Sequence, residues 1–403
     1  MSRLSHTFAL HRVRQRPLYG ALAVFVVALA VRLGYLSRIL QGSLRTPPDT
    51  SSYLRACEVL FTDPLVIHEQ TKGLTYLGFT LPFCSVRYVS GGSGVAWAVV
   101  QVFLSAATAV LVYYAGVRVV NVVAGLVAGI SFGLLFEALR FVVYMLSETV
   151  FILALVLSLY AIIRYKDRPS KANLLLLLVS FTWLITSRPF GFPIVAGWLA
   201  FDLFPRDSGY RIGFLPQKAA IAGVVGVPIV VQLFTDVARK LRQVEDSWKD
   251  GWIYWHGRWD SPLASYEYTP RAADSLLEFF VVNLDHVLVM MFMRLFVFFI
   301  PLVPRLERGA MIYTAGNAVI LIPLLIGSVA GMVRAIREKP IVFSLFATPI
   351  LVVVGITMVT FVSSSWRYRA PLAPFFALLT GYFVATNPHI NRLAERLSDA
   401  VGI

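Results

Sequence analysis

Of the 403 residues, 58% are hydrophobic and only 14% charged, and the mean hydropathy is +0.72. That composition excludes a soluble globular protein and predicts an all-α polytopic membrane protein, because a chain crossing lipid must satisfy its own backbone hydrogen bonds. The net charge of +14 is spread over short polar segments between apolar runs. That pattern follows from membrane topology and anionic lipid rather than from nucleic acid.

The chain opens on the basic stretch "MSRLSHTFALHRVRQRP", followed by an apolar run over 18–40. The run is too long for a signal peptide and carries no small-residue cleavage site, so it is expected to stay as the first helix. The polar segment 41–92 then contains "RTPPDTSSYLRACEVL" (45–60). Pro47 and Pro48 end the approach from the first helix, and Asp49 followed by Thr-Ser-Ser predicts a helix N-cap. Tyr53, Cys57 and Leu60 share one face of that helix, which suits a short element on the membrane surface. Asp49 is thus either a cap alone or a working carboxylate. Lys72, in "HEQTKGLTYLGF", is the only lysine of the segment. Cys57 and Cys84 match no metal spacing and can pair if the segment is extracytoplasmic, which leaves the disulfide open.

Further runs of spanning length lie at 93–117, 119–136, 142–163, 172–187, 190–204, 218–236, 311–333, 341–362 and 370–386, about ten crossings in all. With the basic N-terminus inside, "RYKDRPSK" (164–171) and "PRDSGYRIGFLPQK" (205–218) fall inside too, as the positive-inside rule requires. The stretch 279–304 admits two readings, since it is long enough to cross but carries Asp285, His286 and Arg294. If it crosses, "RAIREKP" (334–340) is outside and "WRYR" (366–369) inside. If it lies along or dips into the outer face, those placements reverse, with ten crossings and both termini cytoplasmic. The positive-inside rule favours the second count. The chain is then one membrane domain, 1–403, with outer loops at 41–92 and 237–304 and a cytoplasmic tail at 387–403.

Under that count the unusual charges gather at one membrane face. Glu148, in "VVYMLSETVFILAL", is placed about six residues inside its run, about 9 Å deep at 1.5 Å per residue. An acid there faces a wet cavity or pairs internally, with Arg140 or another arginine. Arg188 opens a new helix at "TSRPFG", where Pro189 is tolerated in the first turn. Near the end, Arg367 and Arg369 flank Tyr368 in "SSSWRYRAPLAPFF". The guanidinium fork suits phosphate oxygens, so carboxylates and fixed cations together predict chemistry on a phosphate-bearing substrate. The rings of "DSWKDGWIYWHGRWDSPLASYEY" (246–268) serve either to stack on sugars or as an interfacial belt.

These residues make the chain resemble the GT-C superfamily of polytopic glycosyltransferases, in particular the protein O-mannosyltransferase and aminoarabinose-transferase-like group that uses polyprenyl-phosphate sugars. "PPDTSSYLRA" resembles the acidic motif of the first outer loop, "MLSETVF" the Ser-Glu helix, "TSRPFG" the Arg-Pro junction and "WRYRAPLAPFFALLTGY" the Arg-Tyr-Arg-x-Pro late helix. The resemblance implies a GT-C-like bundle of about ten transmembrane helices with two extracytoplasmic loop regions carrying surface helices. It also implies transfer of a sugar from dolichyl- or undecaprenyl-phosphate to an acceptor hydroxyl on protein, lipid or glycan by inverting displacement. Asp49 would be the catalytic base, and Arg367, Arg369, Arg188 and Lys72 would hold the donor phosphate. Tyr53, Glu148, Arg140 and Tyr368 would support them, with no metal and no obligatory cofactor. The expected location is a prokaryotic plasma membrane with the site extracytoplasmic.

Two departures leave the sugar and acceptor open: Thr50 follows Asp49 where the O-mannosyltransferases carry Asp-Glu, and Lys72-Gly73-Leu74 stands in place of Lys-Pro-Pro. The alternative function, a transporter or flippase of a lipid-linked sugar, would carry charges through the membrane and broken helices in two related halves. A non-catalytic scaffold would make Asp49 expendable.

Overall fold

Apolar runs fold as helices because lipid offers the backbone no partner but the helix itself. The structure, a computed structural model, describes residues 2–42, 44, 46–63, 76–203, 244–252, 260–261, 264–265, 269, 271–273, 275–299, 308–360 and 365–388. In chain order the helices are α1 (Ser2–Leu40), α2 (Asp49–Thr62), α3 (Leu77–Val89), α4 (Gly94–Val119), α5 (Val122–Leu134) and α6 (Phe136–Leu139). After a 3-10 turn at Arg140–Val143 come α7 (Glu148–Asp167), α8 (Lys171–Ser187) and α9 (Gly191–Leu203). The chain then forms α10 (Leu276–Val282), α11 (Leu284–Phe299), α12 (Arg308–Glu338), α13 (Pro340–Val359), α14 (Ser365–Arg369) and α15 (Ala373–Thr386). Two short strands, β1 (Asp260–Ser261) and β2 (Ala264–Ser265), pair antiparallel and leave the class all-helical.

Five helices are long and apolar enough to cross a membrane, or seven if each of two bent pairs is one span. The expected ten crossings are therefore not reached among the described residues, and the run at 218–236 lies outside them. The runs 172–187, 190–204 and 370–386 form helices of 17, 13 and 14 residues, shorter than a full crossing needs, and two further runs start late or break. The run 119–136 breaks at Leu135, where the chain turns by 56° between α5 and α6 with its 3-10 turn. The run 142–163 starts its helix only at Glu148. Gln101 Nε2 donates to Val142 O (3.2 Å) and Tyr144 O (2.8 Å), and Thr50 Oγ1 reaches Met145 O at 3.4 Å. These side chains satisfy carbonyls that a continuous helix would have satisfied, so the backbone can unwind inside the bundle.

Helices α4, α5, α12 and α15 form the centre, with α1 and α7 against α4 and with α8 against α7. Small residues permit the closest approaches: a Cβ at Gly331 would meet Leu379 O at 2.1 Å, and one at Gly381 would meet Ala124 O at 2.4 Å.

The ends of the bundle differ in charge. At one end Arg118 pairs with Asp167 (3.0 Å) and Lys339 donates to Val119 O (2.6 Å). Arg164, Lys166, Arg168, Lys171, Arg334 and Arg337 lie near them in sequence, with Glu338 the further acid. The other end carries α2, α3, the 135–147 break, Arg188 and α14.

Helix α11 lies across that second end. His286 Nε2 meets Trp248 O (3.3 Å), and Trp248 Nε1 donates to Val359 O at the end of α13 (2.7 Å). Arg294 donates to Met358 O and Val359 O (both 3.2 Å), and Phe298 O accepts from Arg369 Nη1 (2.5 Å). These contacts run from 286 to 298, about 18 Å of helix, yet all reach one end of the bundle. A helix along the bundle axis would have left that level. Helix α10 meets α11 at 95°.

Candidate active site

Asp49 is the first residue of α2; Pro48, not Asp49, occupies the N-cap position. Its Oδ2 stands 2.7 Å from Arg367 Nη1, and the two side chains are 32% and 20% exposed. Three attachments hold α2 in place. The Tyr53 ring is buried against Phe79 (centroids 4.6 Å) and Tyr76 (5.6 Å), its hydroxyl is 3.2 Å from Ser147 Oγ, and Cys57 is disulfide-bonded to Cys84 of α3. The disulfide left open by the sequence is therefore formed, with Cα atoms 5.2 Å apart.

Glu148 is not a turn and a half inside its helix, as the run length implied; it begins α7. The unwinding of 140–147 puts it at a helix N-terminus, where the backbone dipole favours a carboxylate. It is fully buried, with Oε1 bonded to Arg188 Nη1 (2.9 Å) and to Arg367 Nε. Its other oxygen has no hydrogen-bond partner among the described residues. Arg188, at the C-cap of α8, is buried with its guanidinium over the rings of Phe151 (5.7 Å) and Tyr368 (5.9 Å). Tyr368 in turn packs on Phe190 (5.1 Å). Burial opposes the charge of Arg367, but Glu148 and Asp49 more than offset that and raise the guanidinium above its usual value.

Asp49, Arg367, Glu148 and Arg188 thus form one alternating row of acid and base. The Glu148–Arg188 end is sealed in the bundle and the Asp49–Arg367 end is open. Four chain segments far apart in sequence supply them.

Arg369, expected beside Arg367, is elsewhere. Residues two apart on a helix point to different sides, and α14 is helical across both. Arg369 is 1% exposed; its Nε lies 2.9 Å from both Glu137 oxygens, and its Nη2 also meets that carboxylate. Glu137 N–H donates to Asn317 Oδ1 of α12 (3.2 Å). Arg369 therefore pins α6, α11 and α14 together behind the row. Arg140, the other expected partner for Glu148, sits 3.3 Å from the Tyr144 hydroxyl and over that ring. Lys72 lies outside the described residues. Glu137 was missed; its signal was a lone acid in the apolar stretch "SFGLLFEALRF", but nothing in sequence pointed to Arg369 as its partner.

No protein-family model and no curated protein matches the sequence. Solved structures do match. The archaeal oligosaccharyltransferase AglB from Archaeoglobus fulgidus, in complex with an inhibitory peptide and a dolichol-phosphate, aligns with TM-score 0.51 and 12% identity over 96% of this chain and 52% of that one. The Archaeoglobus fulgidus oligosaccharyltransferase in complex with Zn and sulfate gives TM-score 0.48 and 13% identity over 94% and 50%. The chain spans about half the length of both. The likeness is one of fold: the helical arrangement, with five to seven helices long and apolar enough to cross a membrane, is shared with about half of archaeal oligosaccharyltransferase AglB.

Proposed function

We propose that this chain transfers a sugar from a polyprenyl-phosphate donor to an acceptor hydroxyl at the membrane surface, by inverting displacement. The observation that carries the reading is the row Asp49–Arg367–Glu148–Arg188, open at its Asp49 end. Asp49 takes the proton of the acceptor hydroxyl as that oxygen bonds the anomeric carbon, and the carbon–phosphate-oxygen bond breaks on the opposite side. The leaving phosphate needs no proton when fixed cations stand where its charge develops. Arg367, at the open end of the row, is such a cation; Arg188, sealed behind Glu148, acts by fixing that carboxylate, and Arg369 belongs to the framework. The row is already charge-balanced, so a donor phosphate calls for a further cation, the role given to Lys72. Tyr53 and Tyr368 hold α2 and Arg188 in register, and Glu148 orients both arginines.

The AglB complex supports a lipid-linked donor, because that neighbour holds a dolichol-phosphate, and the bound peptide supports a protein acceptor. The four motifs favour a relative of the O-mannosyltransferase and aminoarabinose-transferase-like group. Two features support an extracytoplasmic site. Disulfides persist in oxidising compartments, and the basic end of the bundle is opposite, as for a cytoplasmic face.

A deletion strain carrying either the wild-type gene or Asp49→Asn tests the reading. The deletion should lose a surface glycan modification and accumulate a polyprenyl-phosphate sugar, and only the wild-type gene should reverse both. Unchanged glycans in the deletion, or full restoration by Asp49→Asn, would overturn it.

A further inference from the structure

Two buried arginines, Arg32 of α1 and Arg294 of α11, are each 0% exposed and touch no carboxylate among the described residues. A cation is costly inside an apolar bundle unless something offsets its charge. Here the offset is a helix end. Arg32 Nη1 donates to Gly133 O in the last turn of α5 (2.8 Å) and to Ala28 O (3.0 Å), while its Nε donates to Ser105 Oγ (2.7 Å). In an unbroken helix Gly133 O would accept from the Glu137 N–H; that N–H donates instead to Asn317 Oδ1. Arg32 thus takes the place of the lost partner. Arg294 Nη1 donates to Met358 O and Val359 O in the last turn of α13 (both 3.2 Å), and its Nε and Nη2 hold Trp252 O and Ser247 O. Carbonyls at a helix C-terminus have no partner within the helix and carry its negative pole, so a buried guanidinium answers both needs at once.

We propose that Arg32 and Arg294 are positioning residues for the charged row: each closes a helix end whose continuation carries a member of it. Past α5 the chain unwinds over 135–147 and delivers Glu148 to the start of α7; past α13 it leads to Arg367 on α14. The first break is braced from one face of α4, where Gln101 and Ser105 stand one turn apart. Gln101 holds Val142 O and Tyr144 O beyond the break, and Ser105 accepts from the arginine that holds Gly133 O before it. At the end of α13, Trp248 Nε1 shares Val359 O with Arg294, and one turn along α11 Phe298 O accepts from Arg369 (2.5 Å). The planar fork suits the task because it reaches carbonyls on several segments in fixed directions, which an ammonium does not. The effect on the backbone stands by itself; the effect on transfer rests on the proposed function.

The test uses the full chain in bilayer discs as Arg32→Lys, Arg32→Gln, Arg294→Lys and Arg294→Gln. Gly331→Ala is the destabilised control, since a Cβ there meets Leu379 O on the α12–α15 contact, toward the basic end. Amide exchange read by mass spectrometry should rise about tenfold over 131–147 for Arg32→Gln and over 355–360 for Arg294→Gln, as local opening of a helix end requires. The donor is the polyprenyl-phosphate sugar that accumulates in the deletion strain, and membranes of that strain supply the acceptor. Turnover should fall about 10- to 100-fold in both glutamine variants, the scale of a small misplacement of reacting groups. The lysine variants should show smaller effects on both readouts, and they carry the test if a glutamine variant does not fold. Gly331→Ala should lower the unfolding midpoint while leaving both regions and turnover near wild type. Exchange rising throughout the bundle, exchange unchanged at the two helix ends, or turnover tracking the unfolding midpoint across all the variants would overturn the proposal. If the wild type itself transfers no sugar, the catalytic reading fails, and the exchange pattern alone then supports or overturns the closure of the two helix ends.

Discussion

Arg367 bridges the two carboxylates of the row: its Nη1 stands 2.7 Å from Asp49 Oδ2 while its Nε meets Glu148. A phosphate drawn to this guanidinium competes with Asp49 for it, because both seek the same N–H donors. Donor binding and release of the base would then be one event, which gives each member of the row a separate phenotype.

Asp49→Asn keeps the side-chain volume at the start of α2, so the fold should survive. Transfer should fall by about 100-fold or more, within the range general bases contribute. The measurement is turnover of purified protein whose unfolding midpoint matches the wild type. Near-normal turnover would remove Asp49 from the base role.

Arg367→Lys retains charge but loses the planar fork that serves Asp49 and Glu148 at once, and Arg188→Lys loosens the hold on Glu148 that orients Arg367. Each should weaken donor binding by roughly 10- to 150-fold, about 1.5–3 kcal/mol for one charge-assisted contact. Donor affinity measured in bilayer discs decides the point. Equal affinity for both variants would leave the arginines as structural partners of Glu148.

Glu137→Gln should act on stability rather than on donor binding. It strands the buried Arg369 charge, a change that typically costs about 3–5 kcal/mol. The unfolding midpoint in detergent should drop clearly while the donor affinity of the surviving folded fraction stays close to wild type. An unchanged midpoint with lost donor affinity would return Arg369 to the phosphate site.

Orientation is checked with single cysteines at two exposed positions, Asp63 near the site end and Arg168 at the basic end. Both native cysteines are in the disulfide, so an impermeant thiol reagent should report only the new one. Added outside intact cells, it should label Asp63→Cys and spare Arg168→Cys. The reverse pattern would put the row on the cytoplasmic side.

Composition and the length of the apolar runs determined the class of this protein, because a chain that is 58% apolar with runs of spanning length satisfies its backbone in lipid as helices. Periodicity determined α2, whose buried Tyr53 and Cys57 lie on the face the spacing marked. Motif reading also singled out Asp49, Glu148, Arg188 and Arg367 before any contact was known. Tertiary structure decided what sequence left open or misplaced. Whether a helix continues through 140–147 depends on Gln101, a side chain on another helix that takes up the freed carbonyls, and no local window contains that information. Which arginine of "WRYR" joins the row depends on the turn of α14, which sends Arg367 toward Glu148 and Arg369 toward Glu137. Residue type and spacing set what each segment can do in lipid. Partners contributed by distant segments decide which of those possibilities has the lower free energy, because a charge buried in an apolar bundle is stable only where another part of the chain brings its counter-charge.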